Sequence, residues 1–157
     1  MITAELKYRF DALLSKWSYL GTGESETGTQ RVGHLPQLAP EAYLFDLYAS
    51  LSSKDLEVLE EELGRKVPTQ IQEFLLFANG FNLLLGLVGI MGYRPLVSPF
   101  DSAPVNYPDS LVTYNVELPL RHLTENEFVF AINAQTRSYF FVAASDEVIR
   151  FIPSESK

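Results

Sequence analysis

The stretch SSKDLEVLEEELGRKVPTQIQEFLLFANG, residues 52–80, decides the fold. Leu56, Leu59 and Leu63 recur at helical spacing, which predicts a helix with one apolar stripe. Ser52 with Asp55 reads as a capping box at its start. Gly64 stands where a left-handed residue stops a helix, a geometry glycine adopts without a Cβ clash. After Pro68, Thr69 and Gln72 match a second capping box, and Ile71, Phe74, Leu75 and Ala78 predict a second helix. Asn79-Gly80 supplies its stop. Glu57, Glu60, Glu61 and Glu62 crowd the outer faces of the first helix, as either a solvated face or a partner-binding one.

Working outward, Leu6, Phe10, Leu13, Leu14 and Trp17 predict an amphipathic helix near the N-terminus. GTGESETGTQRVG, residues 21–33, offers almost nothing apolar to bury and reads as a mobile loop. Pro40 suits the first turn of a further helix, with Leu44, Leu47, Tyr48 and Leu51 as its stripe. Beyond Gly80 the rhythm changes. Residues 81–97 are apolar and punctuated by Gly86, Gly89 and Gly92, which predicts short buried strands and tight turns. SPFDSAPVNYPDS, residues 98–110, reads as a long surface loop. Val112, Tyr114 and Val116 alternate with polar neighbours as a strand would. Residues 128–132, 138–143 and 148–152 predict a meander, with turns near Gln135-Thr136 and Ser145-Asp146. Helices first and strands later predict an α+β class: N-terminal helices packed against a mixed, largely antiparallel β-sheet, in a single domain over residues 1–157.

Composition narrows the function. Of the 157 residues, 46% are hydrophobic and 13% aromatic, so the chain can bury a core and is not disordered. Without cysteine, no disulfide, iron–sulfur cluster or thiolate zinc site can form. MITAELKYRF lacks the basic start and apolar run of a secretory signal, and the run from Phe81 to Met91 is too short to cross a bilayer. A cytoplasmic protein without membrane contact is the expectation. The formal net charge of -8 repels phosphate backbones and attracts basic partners.

Signs of catalysis are weak. His34 and His122 are far apart and belong to no metal-ligand spacing. Gly23-Glu24-Ser25-Glu26-Thr27 lacks the closing glycine of a nucleophile elbow, and Gly21-x-Gly23 lacks the third glycine of a dinucleotide fingerprint. No catalytic residue, metal site or cofactor is expected. The loop over residues 98–110 carries Phe100, Asp101, Tyr107 and Asp109. Aromatics among carboxylates can grip a basic partner, the ring giving buried area and the charges steering. The same rings could instead pin the loop to the core. Together with Glu57 and Glu61 on the acidic helix, these four residues are the candidate partner contacts.

The run Leu56-x-x-Leu59-Glu60-x-x-Leu63-Gly64-x-x-Val67-Pro68-x-x-Ile71-x-x-Phe74-Leu75-x-x-Ala78-Asn79-Gly80 resembles the core motif of the SUKH superfamily, the group of Smi and Knr cell-wall assembly regulators and their bacterial relatives. Gly64, Pro68, Asn79 and Gly80 are the positions that mark the fold. Gly89-Ile90-Met91-Gly92-Tyr93 resembles the small-residue strand and turn that follow there, and Tyr139-Phe140 with Val148-Ile149-Arg150-Phe151 the closing strands. The likeness covers residues 52–152 and leaves 1–51 as an N-terminal helical portion outside the motif. The resemblance implies a protein-binding domain without enzymatic activity. Many bacterial members are immunity proteins that bind and block a toxin, often a nuclease. A basic toxin domain is therefore the expected partner. A regulatory or scaffolding domain for an endogenous protein is the alternative on the same fold, and a carboxylate-dependent hydrolase is a third reading.

Overall fold

The structure, a computed structural model, describes residues 4–95, 107–117, 124–143 and 147–151. Helix α1 spans Ala4–Trp17 and passes through a short 3-10 turn, Ser18–Leu20. Strands β1 (Thr22–Glu24), β2 (Gln30–His34) and β3 (Tyr43–Leu47) follow. Then come α2 (Ser53–Leu63), α3 (Thr69–Leu75), β4 (Phe81–Leu83) and β5 (Val88–Ile90). A wide π-helical turn, Thr113–Glu117, precedes β6 (Phe128–Asn133), β7 (Ser138–Val142) and β8 (Val148–Phe151). All eight strands form one sheet in sequence order, each antiparallel to the next. One parallel bridge, Gly92 to Ser110, lies outside the ladder. The class is α+β as expected, although β1–β3 precede α2 instead of following the helices, and the strand pairings are all antiparallel where the expectation is a mixed, largely antiparallel sheet.

The α2 start is a capping box. Asp55 N donates to Ser52 Oγ at 3.2 Å, and Ser52 N donates to Asp55 Oδ2 at 2.9 Å. Gly64 ends the helix at φ 65°, in the left-handed region. The expected second capping box does not form. Pro68 occupies the cap position of α3, with no side-chain cap bond, and Gln72 turns back to Glu60 Oε1 and Val67 O instead. Glu60 also accepts from Val67 N and pairs with Lys66, so one carboxylate ties the turn between the helices.

Three further expectations are corrected. The segment over residues 21–33 is the β1–β2 hairpin, closed by Ser25 Oγ accepting from Thr29 N, with Thr29, Arg31 and Val32 buried. The helix expected after Pro40 is strand β3, because Phe45 and Leu47 share one face while Asp46 and Tyr48 share the other. The N-terminal portion thus holds one α-helix and three strands. Val112, Tyr114 and Val116 lie in helical backbone, where Asn115 Nδ2 reaches back to Leu111 O. The strands expected over 81–97 and the closing meander are present, with a turn over 134–137. The turn placed at Ser145-Asp146 lies outside the described residues.

Two apolar clusters hold the layers. Phe10, Leu13, Leu14 and Trp17 of α1 pack over Val32, Phe45 and Phe81, and Phe10 lies 5.0 Å from the Phe81 ring in an edge-on contact. Leu59 and Leu63 of α2 pack with Met91, Tyr93, Phe128, Val129 and Phe141. Helix α3 and the turn after it join the clusters: Phe74 and, past the helix end, Ala78 enter the first, and Ile71 and Leu75 the second.

The junction between helices and sheet is a side-chain clasp. Asn79 Nδ2 donates to Tyr93 O at 2.8 Å, while Tyr93 N donates to Asn79 Oδ1 at 2.6 Å. Around it the backbone packs too closely for side chains. A Cβ on Gly92 would stand 2.4 Å from Asn79 O, and one on Gly80 would stand 2.7 Å from Pro108 Cβ. Asn115 makes the same two-bond clasp on Val129.

Asn79→Ala leaves the buried N–H and C=O of Tyr93 without these partners and is expected to cost about 2–4 kcal/mol, read as a lower urea midpoint. A loss below about 1 kcal/mol would show that the clasp does not hold the junction. Ser52→Ala is expected to cost about 1 kcal/mol through the lost cap. Side-chain and backbone bonds from Ser52 hold the Asp55 carboxyl below its ordinary value. That contribution is present above the unfolded Asp value and is lost as pH falls through the lowered folded one. An NMR titration should show Asp55 rising part of the way toward the usual carboxylate range in Ser52→Ala, which keeps the backbone bond.

Candidate functional site

A polar rung crosses one face of the sheet. Arg31, Asp46, Asn82 and Gly89 are successive register partners on β2, β3, β4 and β5, so they point to the same side. Tyr48, just past β3, faces the same way, and Asn82 Nδ2 donates to its hydroxyl at 2.8 Å. Arg31, Asp46, Tyr48 and Asn82, with Glu41, Tyr43, Leu85 and Gly86, line a concavity of about 290 Å³.

Arg31 is the cation of this floor, and it is already satisfied. Its Nε donates to Asp46 Oδ1 at 3.2 Å, Nη1 to Glu41 Oε2 at 2.6 Å and Nη2 to Glu41 O at 3.0 Å. The guanidinium lies over the Tyr43 ring at 4.5 Å. Burial works against its charge, but the bonds to Glu41 and Asp46 prevail and hold it above its ordinary pKa.

Carboxylates dominate what remains. Burial pushes Asp46 up, against the pull of Arg31. Asp109 approaches from the segment before the π-helical turn. Its Oδ2 lies 3.4 Å from where a Cβ on Gly89 would stand, and burial of the carboxyl raises it too, against the field of Arg94. Burial, then the fields of Asp46 and Asp109, push the Tyr48 hydroxyl well above its usual value, so it stays neutral. Among the described residues, nothing donates to Asp46 Oδ2 or Asn82 Oδ1. Every buried side-chain N or O there has a partner, so these two oxygens keep contact with solvent. The floor therefore offers acceptors and suits a donor cation.

The candidate contacts separate. Tyr107 is half-buried, with the Arg94 guanidinium 5.9 Å from its ring, and Asp109 lies over Gly89 at the end of the rung, beside the concavity. Phe100 and Asp101 lie outside the described residues. Glu57 and Glu61 are exposed on α2 and border another hollow, with Glu60, Gly64, Arg65 and Lys66, that shares no lining residue with the floor. A larger hollow of about 600 Å³ surrounds Arg65, which is fastened to Glu125 O, Glu127 O and Asn115 Oδ1. Burial lowers the Arg65 guanidinium pKa. These bonds tie the end of α2 to the start of β6, a structural duty.

Sequence reasoning missed Arg31, Asp46, Tyr48 and Asn82. A lone carboxylate within the apolar run from Tyr43 to Tyr48 is the signal that could have marked Asp46, whereas Arg31 and Asn82 needed the register of β2 and β4 against β3. His34 stacks on Tyr43 at 4.7 Å and its Nε2 lies 2.9 Å from Pro40 O, while His122 lies outside the described residues. Among the described residues no group of three or more His, Asp or Glu could hold a metal ion, and no helix is long and apolar enough to cross a membrane. No family model, curated protein or solved structure matches this chain.

The raised Asp109 value makes folding take up a proton between its unfolded and folded pKa. Stability contributed by the protonated form is therefore lost as pH rises through that window. Asp109→Asn, which leaves the Arg31 bonds intact, should flatten this fall in urea titrations as pH rises above the ordinary Asp value. Identical pH profiles for wild type and variant would show that the carboxyl is not desolvated.

Proposed function

We propose that this chain is a non-catalytic protein-binding domain that captures and neutralises a basic toxin domain in the cytoplasm, as the SUKH-like immunity proteins do. The observation that carries the reading is the floor. There Asp46 stands beside a cation, Arg31, already paired with Glu41 and with Asp46 itself, while Asp109 reaches over Gly89 at the end of the same rung. Such a surface gains from a cation brought by a partner and loses from an added anion. The formal net charge of -8 extends the same preference over the molecule. A nuclease fits best as the toxin class, because holding phosphates requires a basic surface. The resemblance of residues 52–80 and 89–93 to the SUKH motif supports the reading independently of charge.

Mechanistically, the acidic face covers the toxin's substrate groove, or ground beside it. Carboxylates occupy the place of phosphates, and no bond is made or broken. Calorimetry against catalytically inactivated toxin domains encoded beside the gene should show tight binding. Affinity should fall roughly tenfold or more between 50 and 500 mM salt as the charges are screened. Absence of binding to any such domain, with no protection of toxin-expressing cells, would end the proposal.

A further inference from the structure

One end of the sheet gathers three of its turns. Residues 35–42 join β2 to β3, residues 84–87 join β4 to β5, and residues 134–137 join β6 to β7. Leu85 N donates to Leu44 O in β3, and Ala134 N donates to Leu87 O, which ties the middle turn to its neighbours on both sides. The 3-10 turn after α1 reaches the same end, where Gly21 O accepts from Gly33 N and His34 N. Large apolar side chains stand in solvent along this row: Tyr19 at 76% exposure, Leu38 at 62%, Leu84 at 47%, Leu85 at 49% and Leu87 at 43%. Single exposed apolar residues are ordinary, but a row gathered at one end of a sheet marks an interaction surface.

The middle turn is also built against local preference. Leu84, Leu85 and Gly86 follow one another at φ 52°, 62° and 80°. The left-handed conformation costs a residue with a Cβ roughly 1–2 kcal/mol, and hairpin turns of positive φ favour Asn, Asp and Gly. Two leucines there ease no turn and fill no core. Beside them the floor opens, with Leu85 and Gly86 as one wall and the exposed Glu41 and half-buried Asp46 opposite.

We propose that this leucine row docks a basic protein partner, whose apolar cleft receives Leu84, Leu85 and Leu87 while an adjacent Lys or Arg enters the floor. The inference rests on the binding function above and gives it a location. Charge decides among occupants. A second copy related by a two-fold axis would set Glu41 and Asp46 against their own kind. Anionic lipid headgroups are repelled by a chain of net charge -8. A basic surface meets the same carboxylates with attraction.

The double variant Leu84→Asn/Leu85→Gly installs the residues that such a turn prefers. Its urea midpoint should rise while its binding to the inactivated neighbour-encoded toxin domain falls at least tenfold by calorimetry. Glu24→Gln/Glu26→Gln, exposed on the β1–β2 hairpin at the opposite end of the sheet, should lose less than threefold. Wild-type affinity in the leucine variant overturns the row and leaves the binding function standing. No binding by the wild-type chain overturns both. A wild-type dimer dissociated by the leucine variant in sedimentation, or wild-type binding to phosphatidylserine vesicles that the variant loses, assigns the row to another occupant and overturns the inference.

Discussion

The clasp of Asn79 on Tyr93 is the contact on which the rest of the architecture depends. Helix α3 must stop, and β4 must leave in a direction that lets it pair with both β3 and β5. The side-chain amide achieves this by behaving as a piece of strand, with one donor and one acceptor facing one residue's backbone. Gly80 and Gly92 are bare because the backbone passes too close for anything larger, and Pro108 fills the remaining space. Tyr93, held by its backbone, donates its hydroxyl to Glu62 on α2 at 2.9 Å. Helix, sheet and incoming segment are thus registered at one point.

That registration also builds the floor. Asp109 follows Pro108 directly, so the wedge at Gly80 and Gly92 sets how far the carboxylate extends over β5. Gly89 leaves room for it, and the rung of Arg31, Asp46 and Asn82 completes the surface. Burial alone would disfavour the charge on Asp46, and Arg31 offsets part of that cost. With Glu41 and Asp46 both bound to it, the guanidinium holds the cluster together yet has no charge left for an anion.

Residues 52–80 announce themselves because their signals are local. A cap, an apolar period and a left-handed glycine need no knowledge of the remaining chain, and α2 appears where those signals place it. Residues 21–33 and 40–51 mislead because their strands are stabilised by partners distant in sequence. Arg31 is buried only because Asp46 and Glu41 neutralise it, and polar β2 reads as a loop until that pairing is known. Tyr114 is similar. Its alternation with Val112 and Val116 is that of a strand, but the amide of Asn115 supplies Val129 with the bonds a strand would have given. Of the candidate contacts, Asp109 was legible as an acid beside aromatics, whereas its place over Gly89 required the register of β4 and β5.

The helical pair departs between two strands that lie side by side, which bears on the order of assembly. Closing the gap over residues 48–80 costs about 2 kcal/mol more loop entropy than closing the turn over residues 84–87. Early α2 and α3 shorten that span by stiffening it, so the seam between β3 and β4 is expected to zip late, after the ribbons on either side. The nascent chain would then expose the edge of β3 until α3 swings its neighbour into place, and premature pairing between two chains at that edge is the hazard the arrangement carries.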